Sequence, residues 1–111
     1  MARKITNEQM KNLMLNTLLS TKRDVKRTYN NILWCIKNFC KDGHVTEEDL
    51  KKAIDFELQG RTRIGDNGEK IIFWINKDYS TTDFNADNYN DGIELVHQYM
   101  MNKEWYRSLI H

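Results

Sequence analysis

Lys22-Arg-Asp-Val25-Lys-Arg-Thr-Tyr29-Asn-Asn-Ile32-Leu-Trp-Cys-Ile36-Lys-Asn-Phe39-Cys40 carries the strongest periodic signal in the chain. Val25, Tyr29, Ile32, Ile36 and Phe39 recur at steps of four, three, four and three, which is the repeat of one helix face. Leu33 and Cys40 widen that stripe. The pattern predicts a helix over roughly 22–40 that serves as the central core helix. Asp42-Gly43 ends it, because glycine accepts the left-handed conformation of a helix stop.

Two further helices flank this one. Thr6 and Gln9 have capping-box spacing, and Met10, Leu13, Met14 and Leu18 form one apolar stripe, predicting a helix over roughly 6–20. Thr46, followed by Glu47-Glu48-Asp49, reads as an N-cap with acids where the helix dipole favours them. Val45 and Leu50 are spaced to staple across that cap, and Leu50, Ala53, Ile54 and Leu58 form an inward face up to Gly60.

Past Gly60, Arg61–Ile64 and Glu69–Ile75 flank Gly65-Asp-Asn-Gly68, a hairpin turn sequence that tolerates positive φ. Residues 77–87, rich in Ser, Thr, Asp and Asn, read as loop. A closing helix over about 88–109 has Ile93, Val96, Met100 and Leu109 as its clearest apolar positions. The expected fold class is α+β, mainly α: three helices, a β-hairpin and a C-terminal helix in one small domain spanning 1–111.

The totals suit such a domain. A 40% apolar and 30% charged chain of 111 residues is of ordered, globular type. No apolar run nears the roughly 20 residues of a membrane span, and Met1-Ala-Arg-Lys-Ile-Thr6 is not signal-like, so a cytoplasmic protein with no membrane partner is expected. Cys35 and Cys40 would lie roughly 8 Å apart on one helix, too far for a disulfide, and are expected to be free thiols. Proline is absent while Asn, Lys, Ile and Tyr abound, a bias associated with A+T-rich coding DNA of the phage and mobile-element kind.

Charge is unevenly divided. Residues 1–43 hold nine Lys or Arg against three acids, whereas residues 44–111 hold eight against thirteen. Lys22, Arg23, Lys26 and Arg27 cluster on adjoining parts of the second helix, and Arg61, Arg63 and Lys70 sit on the hairpin. Such cations can neutralise phosphates, which makes nucleic acid one candidate partner. Conversely, Asp78, Asp83, Asp87, Asp91 and Glu94 run without an intervening cation, interleaved with Tyr79, Phe84 and Tyr89. An acidic surface with aromatic anchors suits the basic groove of a nucleic-acid-processing host protein, by presenting charge as a phosphate backbone does.

Helices followed by a basic hairpin resemble a winged-helix DNA-binding domain over residues 22–76, on Thr46-Glu-Glu-Asp-Leu50 and the Gly65-Asp-Asn-Gly68 turn. The helix that would enter the major groove, 46–59, departs from that pattern with two lysines against five acids. Asn38–Asp49 and Asp83–Glu94 each match part of the calcium-loop spacing, but the first has Cys40 at its third position and the second has Asn88 at its sixth. Cys35, Cys40 and His44, with His97 or His111, lack common zinc spacing. No nucleophile motif or phosphate-binding glycine loop is present, and His44 and His97 read as surface or interface histidines.

The favoured expectation is thus a non-enzymatic accessory protein that binds and inhibits a host nucleic-acid-processing or defence protein through the 78–94 segment, without catalytic residues, metal or cofactor. A small DNA- or RNA-binding regulator is the alternative, and a helical assembly factor forming a homodimer is a third.

Overall fold

In a computed structural model, which describes residues 2–40 and 42–110, helices dominate and a small sheet completes a mainly α, α+β domain. The order is α1 (Asn7–Leu19), α2 (Lys22–Phe39), α3 (Glu47–Leu58), a 3₁₀ turn (Gln59–Arg61), β1 (Thr62–Ile64), β2 (Lys70–Ile75), β3 (Thr81–Asn85), α4 (Tyr89–Met100) and α5 (Glu104–Arg107). The domain measures 43 × 29 × 23 Å. No described helix is long and apolar enough to cross a membrane.

Local chemistry sets the helix starts. Thr6 accepts the Gln9 amide while the Gln9 side chain accepts the Thr6 amide, closing the expected capping box. Thr21 caps α2 by accepting the Asp24 amide, and Thr46 with Asp49 makes a second reciprocal box. Each arrangement satisfies amide groups that have no partner within the helix.

The core is built from Met10, Met14 and Leu18 of α1, Leu50, Ala53, Ile54 and Leu58 of α3, and Ile93, Val96 and Met100 of α4, with Tyr106 beneath them. Gly92 lets α4 approach α1, since a Cβ there would collide with Met10 Cγ.

In α2 the buried line differs from the expected stripe. Thr28, Ile32 and Cys35 face inward; Val25, Tyr29 and Ile36 are only half-buried, while Leu33 and Phe39 are exposed. The buried Thr28 hydroxyl donates to the Leu18 carbonyl at 2.8 Å, so a polar residue takes the position next to α1.

Two further expectations are corrected. Residues 77–87 are not all loop, because Thr81–Asn85 form β3, paired antiparallel to β2 with Phe73 opposite Asp83. The backbone of β2 needs partners on both sides, and β3 supplies the second set whatever its side chains. Arg3 covers the outer edge of β3 through hydrogen bonds of 3.1 Å to the Asp83 carbonyl and 2.8 Å from the Asn85 amide. The predicted 88–109 helix is two helices separated by a turn at residues 101–103. The 62–75 hairpin is thus part of a three-stranded sheet ordered β1-β2-β3, not a free-standing wing.

Candidate functional site

Trp34 and Phe56 are apolar residues outside the inward faces of their own helices. The stripe of α2 steps from Ile32 to Cys35 and omits Trp34; that of α3 runs Leu50, Ala53, Ile54, Leu58 and omits Phe56. Adjacent packing of α2 and α3 brings the two rings together, stacked at 5.6 Å between centroids and 23° between planes. Phe39, at the end of α2, meets Trp34 edge-on at 5.7 Å and Phe56 at 6.3 Å. The trio is nonetheless open to solvent, with exposures of 50% for Trp34, 63% for Phe39 and 43% for Phe56. Beside it runs a shallow groove of about 190 Å³ between Ile36, Cys40, Asp49, Ala53 and Phe56.

Exposed cations run along α2 toward this trio, and one stands beside it on α3. Lys22, Arg23, Lys26 and Lys37 are exposed on α2, and Lys52 is exposed on α3. None of the five makes an ion pair among the described residues. Helical geometry puts Lys22, Arg23, Lys26, Asn30, Leu33, Trp34 and Lys37 on the side of α2 opposite Thr28 and Cys35. The nearby acids are occupied. Asp24 accepts from the Ser20 hydroxyl at 2.7 Å and pairs with Arg27 at 3.0 Å, and the Ser20 bond leads in holding its carboxyl below the usual range. Glu57 accepts from Asn31 and faces Arg27 at 3.5 Å. Asp49 is held low chiefly by the Thr46 amide.

The other expected cations are engaged internally. Arg27 is used as above; the Arg61 guanidinium lies 6.0 Å over the Trp74 ring, and the Lys70 ammonium 3.5 Å over Tyr89. Arg63 pairs with Asp83 across the sheet. The expected basic surface therefore reduces at the hairpin and persists on α2, where Lys37 and Lys52 extend it.

The 78–94 acids are similarly divided. Asp78 lies in the β2–β3 turn, where its carboxylate accepts the Ser80 amide at 3.0 Å and the Ser80 hydroxyl at 2.5 Å. Tyr79 sits at the tip, 88% exposed and in the left-handed region at φ 67°. Asp87 lies beyond the far end of β3, about 17 Å of strand away. Asp83 is paired with Arg63, and Glu94 with Lys51 at 2.5 Å. Phe84 packs against the core, while Asp87 and Asp91 are exposed. These side chains do not form one continuous acidic face.

His97, expected at the surface or an interface, is fully buried within the chain. Its Nδ1 lies 2.7 Å from the Tyr106 hydroxyl and its Nε2 2.9 Å from a Glu47 carboxylate oxygen. The Glu–His–Tyr sequence superficially resembles a proton relay, yet both ring nitrogens are consumed in tying α3, α4 and α5 together. Burial pushes the Tyr106 hydroxyl upward, away from titration near neutrality. Tyr89 is likewise buried, donating to Asp55 at 2.6 Å.

Cys35 and Cys40 are free thiols, each pushed up first by burial. Among the described residues no group of three or more His, Cys, Asp or Glu is placed to hold a metal ion; His111 lies outside them. The second calcium-like stretch is strand, turn and helix, with its first and last acids held by Arg63 and Lys51.

No protein-family model, curated protein or solved structure matches this chain.

Proposed function

We propose that the chain is a non-enzymatic accessory protein, of the phage or mobile-element kind, that acts by stoichiometric binding within a nucleic-acid-processing system. Its contact surface is the outer face of α2 and α3. The observation that carries this reading is the stacked, solvent-exposed Trp34–Phe56 pair with Phe39 at its edge. Aromatic rings contribute most when a partner desolvates them, and they supply the anchors of many binding surfaces. Five exposed cations, four along α2 and Lys52 on α3, make no ion pair among the described residues and add long-range attraction for an anionic partner.

Inhibition of a host protein through the acidic segment draws less support, since Asp83 and Glu94 already have cationic partners. Asp78, Asp87 and Asp91 are the acids without a cationic partner among the described residues, and Asp78 lies apart from the other two, in the β2–β3 turn.

The two routes separate in one affinity-capture experiment. The double variant Trp34→Ala/Phe56→Ala is expected to keep its helical circular dichroism and to lose the partner. Asp87→Asn/Asp91→Asn is expected to retain it. Loss with the acidic pair and retention with the aromatic pair would overturn the proposal.

A further inference from the structure

We infer that the α2–α3 face binds single-stranded nucleic acid, with Trp34 as a stacking platform and Lys22, Arg23, Lys26, Lys37 and Lys52 as phosphate contacts. This rests on the preceding choice of face and adds the chemistry of its occupant.

Charge is the first argument. Lys22 and Lys37 are separated by about 22 Å along α2, and the exposed side between them carries no acid. An unpaired cationic strip of that length complements a polyanion. Lys22 and Arg23 also stand in the first helical turn, where the helix dipole disfavours positive charge. They weaken the helix they begin, and no acid among the described residues pairs with them.

The rings decide between kinds of polyanion. Trp34 is stacked on Phe56 on one side and remains half exposed. An accessible indole can stack on an unpaired base, whichever base it is, because every base has a π-face. Duplex bases are already stacked on each other and present only their edges in the grooves. A helix reading the major groove must enter it, whereas α2 packs against α3 and Trp34 is flanked by Phe39 and Phe56. Asn30, exposed one turn before Trp34, is placed to hydrogen-bond a base edge or sugar.

Fluorescence anisotropy with a labelled oligothymidylate of about 15 nucleotides tests this directly. The single strand is expected to bind tighter than a duplex of equal length. If all five cations meet phosphates, the log–log salt slope is about −3.5, and each Lys→Ala change reduces it by about 0.7. Trp34→Ala is expected to weaken binding about tenfold or more, with Trp34→Phe restoring most of the loss. Thermal unfolding of each variant checks that the fold is kept, and Lys26→Glu supplies an exposed-site variant that leaves the rings intact.

Preference for duplex, binding only to vesicles containing phosphatidylserine, or indifference to both Trp34→Ala and Lys26→Glu would overturn the inference. Protein capture that depends on Trp34, without oligonucleotide binding, would overturn it while leaving the choice of face standing. Indifference of every captured ligand to Trp34 and Phe56 would remove both.

Discussion

His97 makes two hydrogen bonds from a site with no solvent exposure, which gives a sharp residue-scale expectation. A carboxylate only accepts, so Nε2–H donates to Glu47, and with a neutral imidazole the Tyr106 hydroxyl donates to Nδ1. Replacing His97 with Ala strands a buried hydroxyl and opens a cavity, and together these cost about 3 kcal/mol. Tyr106→Phe removes one bond and costs about 1 kcal/mol. Urea denaturation should show lower midpoints at an unchanged m-value; wild-type stability in His97→Ala would refute the structural role. This arrangement could not be read from the sequence, because Glu47 and His97 are 50 positions apart. The signal for the aromatic trio was present: Trp34 and Phe56 are large apolar residues off the stripe of helices whose other apolar positions align. Phe39 misled because it continues the period of α2 past the point where a core remains to receive it.

At the scale of elements, the helix starts were the most legible features, since capping is local. The boxes at Thr6 and Thr46 join residues three apart and depend on little else. β3 was not legible, because Thr81-Thr-Asp-Phe-Asn85 owes its conformation to the open edge of β2 rather than to its own composition. Asp49 carries a pH expectation. Its folded carboxyl is held below the ordinary value, first by the Thr46 amide, so its contribution is complete above the unfolded value. That contribution is lost as pH falls through the lowered folded value. Melting temperature measured from about pH 7 to about pH 3 should therefore fall on the acid side, and Asp49→Asn should flatten that limb. An acid limb unchanged in the variant would remove Asp49 from the account. The effect is modest, because the site is near solvent and the interaction is screened.

Across the whole molecule, the uneven charge seen in the sequence survives folding on one side only. Arg63 is neutralised by Asp83 and Lys51 by Glu94 across elements, while Lys22, Arg23, Lys26 and Lys37 of α2 have no ion-pair partner among the described residues. Pairing of this kind is tertiary, so composition alone could not distinguish the persisting patch from the cancelled ones. One consequence concerns self-association. Two copies meeting through the aromatic trio would oppose their lysines, so the chain should be monomeric by light scattering at low ionic strength. It should associate more readily as salt shortens the screening length from about 10 Å at 0.1 M to about 3 Å at 1 M. A dimer that is stable at low salt and dissolves at high salt would contradict this. The outline is elongated, at 43 × 29 × 23 Å. A monomer of 13.3 kDa ordinarily presents about 6,500 Å² to water. This one presents 7336 Å². Because Trp34, Phe39 and Phe56 are about half solvated or more in the free chain, a complex that covers them should carry a negative heat-capacity change, the mark of apolar burial.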